Sequence, residues 1–179
     1  DLRTKWEIYH YLNKEDPNIV PVIYPDLSIG ASRLTKNKNS DYLNLSGISN
    51  RKTIHCNENG YYSIYQSDRY GFNNPDSEWN KKEIEYLLVG DSFAQGDCVN
   101  RPEDIASVLR TLSEKSVLNL GYGGNGPLIE YATLREYLKA NVKNVLWVFY
   151  EGNDFSDLYK ELNSEILTTY LKDLNLLMK

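Results

Sequence analysis

Cysteine, histidine and methionine are scarce in this sequence: two, two and one among 179 residues. Cys56, Cys98, His10 and His55 are too few for a zinc site of the usual Cys/His kind. Long apolar runs are missing too. The longest, Val145 to Tyr150, has six residues, against the roughly 20 that span a bilayer. No block of lysines and arginines occurs, and the net charge is −5, which disfavours a nucleic-acid partner held through phosphate contacts. What is present is ordinary. With 41% hydrophobic and 25% charged residues the chain is not a disordered one, and its length suits one domain with a small appendage.

Two regimes meet near residue 82. Before it the pattern is irregular. Leu2, Trp6, Tyr9 and Leu12 fall at helical spacing, with Asp1 as a cap. Pro17, Pro21 and Pro25 enforce extended backbone through Tyr24, and residues 26–50 read as loop. Thr53–Cys56 and Tyr61–Tyr65 flank Asn57-Glu58-Asn59-Gly60, a β-hairpin with Asn59-Gly60 at a tight turn. After residue 82 strands and helices alternate. Ile84–Val89, Val117–Leu120 and Val145–Tyr150 read as strands, the last apolar on both faces as a covered parallel strand is. Pro102 opens a helix with Ile105, Val108, Leu109 and Leu112 on one face. Pro127–Ala140 is a second helix, with Leu128, Tyr131, Leu134 and Leu138 on a face, and a third runs from about Asp157. This β-α-β-α-β-α order implies parallel strands with right-handed crossovers.

Ligands of such sheets sit beyond the carboxyl ends of the strands. All three strands end in small, polar, glycine-containing turns: Gly90-Asp91-Ser92, Gly121-Tyr122-Gly123-Gly124-Asn125-Gly126 and Glu151-Gly152-Asn153-Asp154. Ser92 offers a hydroxyl. Gly124, 32 positions later, offers an amide that no Cβ shields, and Asn153, 61 positions after Ser92, offers a side-chain amide. A hydroxyl facing converging donors is an oxyanion hole in outline.

Val89-Gly90-Asp91-Ser92-Phe93, Asn119-Leu120-Gly121-Tyr122-Gly123-Gly124 and Glu151-Gly152-Asn153-Asp154 resemble the first three sequence blocks of the SGNH/GDSL hydrolase superfamily. Each block is short, but the three occur in order at successive strand ends. The resemblance covers about residues 83–175. It implies a three-layer α/β/α sandwich with a parallel sheet, SGNH/flavodoxin-like, over 83–179, preceded by an irregular segment with a β-hairpin over 1–82 that packs on it. It further implies a serine esterase in which Ser92 is the nucleophile and the Ser92 and Gly124 amides and the Asn153 side chain hold the oxyanion. Acyl esters, acylated saccharides among them, are the implied substrates, and no metal or cofactor is implied. Tyr70-Gly71-Phe72-Asn73-Asn74-Pro75 and the cysteines resemble bacterial members that carry an N-terminal anchor, so an exported or anchored setting is expected, with membrane contact only through such an anchor.

The family's fourth block, Asp-x-x-His, is the departure: neither histidine follows Ser92. A sequence that starts on Asp1 and stops at Lys179 within a helical pattern is expected to be a fragment whose C-terminal part is missing. A non-catalytic SGNH-like binding or assembly module is one alternative. A dinucleotide-binding domain is another, since Gly121-x-Gly123-x-x-Gly126 lies between a strand and a helix and Glu151 ends the next strand. Cys56 and Cys98 either pair, pinning the hairpin beside the Ser92 loop, or stay free thiols. His10 and His55 are read as surface or satisfied histidines. The dense tyrosines of 61–70 suit either sugar rings or packing of the hairpin. A serine hydroxyl without a base is a weak nucleophile, so residues 1–179 alone are expected to hydrolyse nitrophenyl acetate barely above buffer, while a polypeptide that also carries Asp-x-x-His turns it over. Robust turnover by residues 1–179 contradicts the missing-base expectation.

Overall fold

The computed structural model describes residues 1–25, 43–173 and 175. Most of the loop read over 26–50 and the end of the C-terminal helical pattern lie outside them. The chain opens with α1 (Lys5–Leu12), where Thr4 and Glu7 form a capping box. The expected cap, Asp1, instead binds Arg3. The expected apolar face is also rotated: Leu2 and Trp6 are exposed, and Ile8, Tyr9 and Leu12 pack onto Ile19 and Ile54.

β1 (Ile19–Pro21) pairs in parallel with β2 (Lys52–Ile54), which pairs antiparallel with β3 (Ile64–Gln66). The hairpin is there, but its loop is wider than a two-residue turn. The amides of His55 and Ser63 donate to Ser63 O and Cys56 O, leaving residues 57–62 outside the ladder. Asn59 is drawn off to donate to the Cys98 carbonyl at 3.1 Å.

β4 (Ile84–Gly90) is the middle strand of a second, wholly parallel sheet, flanked by β5 (Val117–Asn119) and β6 (Val142–Val148). The helices between are a single turn, α2 (Ser92–Gln95), then α3 (Ile105–Ser113) and α4 (Pro127–Tyr137). After β6 come α5 (Asp154–Glu161) and α6 (Glu165–Lys172). The one long helix expected from Asp157 is thus two, and Ser164 restarts it by accepting from the Leu167 amide. Alternation along β4 sends Leu87 and Val89 to a cluster with Phe72, Trp79, Leu118 and, from α4, Leu134 and Tyr137. Leu88 goes to another with Val117 and, from α3, Ala106 and Leu109.

Three expectations for this half are corrected. Pro102 does not open a helix; it follows a cis bond in a turn, and α3 starts at Ile105 with Asp104 as its cap. The face of α3 that packs carries Ala106 and Leu109, while Ile105, Val108 and Leu112 are exposed. Arg110 sets that rotation, donating to Val117 O at 2.9 Å and Asn74 Oδ1 at 3.0 Å. β6 is not a covered strand: Val145, Leu146 and Trp147, which alternate between its faces, are all exposed, and it is an edge strand whose only partner among the described residues is β4.

The N-terminal segment is fastened to this sheet through buried polar groups. Asp68 accepts from the Tyr70 and Phe72 amides, from Asn74 Nδ2 and from Trp79 Nε1, at 2.7–3.0 Å. Asn74 then bonds the backbone of β5 as another strand would, donating to Asn119 O and accepting from Asn119 N, both at 2.8 Å. Burial raises the Asp68 carboxyl above the usual range despite these donors. Unsatisfied buried groups cost about 1–3 kcal/mol each. Asp68→Ala is therefore expected to lower the urea-unfolding free energy by about 3 kcal/mol, and a change within error shows the hub to be dispensable.

Candidate functional site

β4 delivers the Gly90-Asp91-Ser92 turn. Asp91, not Ser92, caps the short helix, its carboxylate accepting the Phe93 amide at 2.9 Å. The Ser92 hydroxyl is thereby left free of capping duty, and Ser92 is half-buried. Its carbonyl accepts the Asp97 amide at 3.0 Å, which folds the following loop back under α2.

β5 brings the second turn alongside. The Tyr122 amide donates to Gly90 O at 3.1 Å, and a Cβ on Gly121 would lie 2.4 Å from Ala94 Cβ, so only glycine lets the turn lie against α2. Gln95, fully buried, accepts the Gly123 amide at 2.6 Å and donates to Tyr65 at 3.1 Å. Gly124 follows in the left-handed region, φ +81°, and is exposed. Among the described residues no acceptor faces its amide.

β6 brings the third turn, its Val148 opposite Gly90. Asp154 does not simply open α5: its carboxylate accepts the Tyr150 amide at 2.6 Å and closes the turn around Asn153. Asn153 Nδ2 donates to Asp157 at 2.9 Å, and the same side chain is near enough to Asp91 to hold that carboxyl down against the rise that burial causes. Asn153 thus lies near the residue that precedes Ser92, and the three turns lie side by side at one edge of the parallel sheet. The Phe93 and Tyr150 rings, centroids 4.8 Å apart, stand half open beside it. In its present pose the Asn153 amide donates to Asp157, and an incoming oxyanion would compete with that carboxylate.

Buried carboxyls lie behind the rim, and the sequence reading missed them. Glu161 of α5 accepts the amides of Gly126 and Leu128 at 2.7 and 2.8 Å, capping α4, whose own N-cap is a glycine with no side chain to do so. Burial raises it to about 7 against those donors. Glu130, also fully buried, accepts from Trp147 Nε1 at 2.5 Å. Burial, reinforced by Asp154, Asp91 and Glu161, pushes it up to about 8. The Asn125 side chain is buried with neither amide atom bonded. Gly126-Pro127-x-x-Glu130 was the only available cue, and it reads as an ordinary helix start.

Cys56 and Cys98 are disulfide-bonded, joining the hairpin to the loop after α2 across 42 positions. His10 is exposed on α1. His55 is fully buried, its Nε2 2.7 Å from Asp97 Oδ1. The tyrosines of 61–70 form no shared platform: Tyr65 is buried, Tyr70 packs on Trp79 and Tyr137, Tyr62 donates to Arg3 O, and Tyr61 stands exposed by itself. Comparison with family models, with curated proteins and with solved structures finds no match to this chain. Among the described residues no helix is long and apolar enough to cross a membrane.

A carboxyl whose folded pKa lies above its ordinary value keeps its proton in the folded state. Its contribution is complete below about 4.5 and is lost as pH rises toward the folded value. The urea midpoint is expected to fall between pH 5 and pH 8, and Glu130→Gln, which keeps an acceptor for Trp147, to flatten that fall. Parallel slopes for the two proteins rule Glu130 out as its source.

Proposed function

We propose that the chain carries the acyl-ester site of an SGNH-type serine hydrolase, within a three-layer α/β/α arrangement in which α3 and α4 cover opposite faces of the parallel sheet. What carries the proposal is the placing of three turns, distant in sequence, side by side at one sheet edge: Ser92 and Gly124 with a hydroxyl and an amide that find no partner among the described residues, and Asn153 near enough to Asp91 to hold its carboxyl down. Ser92 attacks the ester carbonyl, and the negative charge that develops on its oxygen is met by the Ser92 and Gly124 amides and by the Asn153 side chain, released from Asp157. The hydroxyl proton passes to the histidine of an Asp-x-x-His block, which residues 93–179 do not contain. No metal or cofactor is called on.

The exposed rings of Phe93 and Tyr150 make an aromatic wall next to the serine, which suits an apolar acyl group or the face of a sugar ring. Of the tyrosines of 61–70, Tyr65 is buried and Tyr62 and Tyr70 are half-buried, which leaves Tyr61 alone exposed. Dinucleotide binding through Gly121-x-Gly123-x-x-Gly126 fits less well. The amides a pyrophosphate would need at the start of α4 already hold the Glu161 carboxylate, and the Gly123 amide is held by Gln95.

The test pairs labelling with turnover. In a polypeptide that supplies Asp-x-x-His, a fluorophosphonate is expected to modify Ser92, read by peptide mass spectrometry, and Ser92→Ala to abolish the adduct. In the same polypeptide, Asn153→Ala is expected to lower kcat on short nitrophenyl esters by about 10²–10³-fold. An adduct that persists in Ser92→Ala, or turnover indifferent to Asn153→Ala, overturns the assignment.

A further inference from the structure

Beside the disulfide lies a knot of ligand-type atoms that the hydrolase chemistry does not use. His55 adjoins Cys56 in sequence and Asp97 adjoins Cys98, so the bond that joins the two sulfurs also brings an imidazole and a carboxylate together. His55 Nε2, Cys56 Sγ and an Asp97 carboxylate oxygen all lie within 4.8 Å of one another. Asp97 Oδ1 is 2.7 Å from His55 Nε2 and 2.9 Å from Cys56 Sγ. Neither contact is a sound hydrogen bond. A disulfide sulfur has no proton to give, and the fully buried His55 ring has no aligned partner at either nitrogen. Buried imidazole normally has such a partner. Lys5 lies over the Tyr24 ring, 5.6 Å from its centroid, where its charge acts on Asp97 from beyond ion-pair distance.

Lone pairs converging without a shared proton are what a cation resolves. We propose that, once the Cys56–Cys98 bond is reduced, His55, Asp97 and the two thiolates form a four-coordinate site for Zn²⁺ or a like divalent ion. Imidazole nitrogen, carboxylate oxygen and thiolate sulfur bind zinc at about 2.0–2.3 Å in tetrahedral sites. The Asp97 oxygen therefore needs to move by only a fraction of an ångström from His55 Nε2 and Cys56 Sγ to admit an ion, whereas the two sulfurs, about 2.05 Å apart in a disulfide, must part to about 3.7 Å as Cys98 swings in. The disulfide form lacks the two anionic sulfurs and leaves only His55 and Asp97. A count of cysteines and histidines alone misses this set because its fourth member is an aspartate.

The chemistry balances with a trialkylphosphine as reductant. The S–S bond breaks, phosphorus supplies two electrons and takes oxygen from water, and the two protons of that water leave the sulfurs as thiols. Metal binding then releases both thiol protons to the buffer.

The whole chain, reduced with phosphine and freed of it without oxygen, is titrated with Co²⁺ and then Zn²⁺. One Co²⁺ per chain is expected, with thiolate-to-metal charge-transfer and tetrahedral ligand-field absorption that Zn²⁺ bleaches. The oxidised chain is expected to show neither. Asp97→Asn and His55→Gln are each expected to weaken Zn²⁺ binding at least ~10-fold, and Cys98→Ser to remove most of the charge-transfer band. Asp97 is partly exposed, so its variant decides the matter should the buried His55→Gln fail to fold. Absence of Co²⁺ uptake by the reduced chain overturns the proposal. So does an Asp97→Asn variant that binds as tightly as the original, which would mark simple dithiol chelation.

Discussion

The Asp68 carboxylate is the constraint on which the rest of the structure leans. It is buried, it gathers two backbone amides, an indole and an amide side chain, and it thereby fixes the Tyr70–Pro75 turn in one shape. That shape presents Asn74 to β5 and Asn73 to the Gln95 carbonyl at 2.9 Å. Asn119 passes the order on, donating to Ala94 O at 2.6 Å and accepting the Gly121 amide at 2.8 Å. A segment with little regular structure thus sets the edge of the parallel sheet, the end of α2 and the start of the β5 turn. In a low-dielectric interior such a chain of satisfied groups permits few alternatives.

Behind the rim the positioning is done by carboxyls rather than by apolar packing. Asp91 caps α2, Asp154 closes the β6 turn and Glu161 caps α4, each holding backbone amides that would otherwise lack partners. Three acids in one neighbourhood repel when charged, and burial favours their neutral forms. The turns are accordingly stiff in one protonation state and under electrostatic load in the other.

Much of this was legible in the sequence, unevenly so. Strand identity and the placing of three turns side by side followed from apolar runs broken by Gly-Asp-Ser, Gly-Gly-Asn-Gly and Gly-Asn-Asp, because local chemistry decides where a strand must stop. The pairing of Cys56 with Cys98 stood there as one of two options. Helix rotation did not follow from periodicity: α3 shows a clear stripe at Ile105, Val108 and Leu112, yet Arg110's bonds to Val117 O and Asn74 turn that stripe outward. The capping of α4 by Glu161 was equally hidden, since donor and acceptor are 33–35 positions apart. Contacts of that kind belong to tertiary structure and leave no period to read.

The open side of β6 carries one more implication. Its first half is guarded by Lys143, paired with Glu83 and Glu85, and by Asn144. Its second half, Val145-Leu146-Trp147-Val148, has no charge at all. Among the described residues no strand pairs with this edge, and unpaired ladder amides beside such a stretch are a template on which another backbone can nucleate. At high concentration this rim is where the polypeptide is most exposed to filament growth, and one lysine in place of Val145 would serve as a gatekeeper.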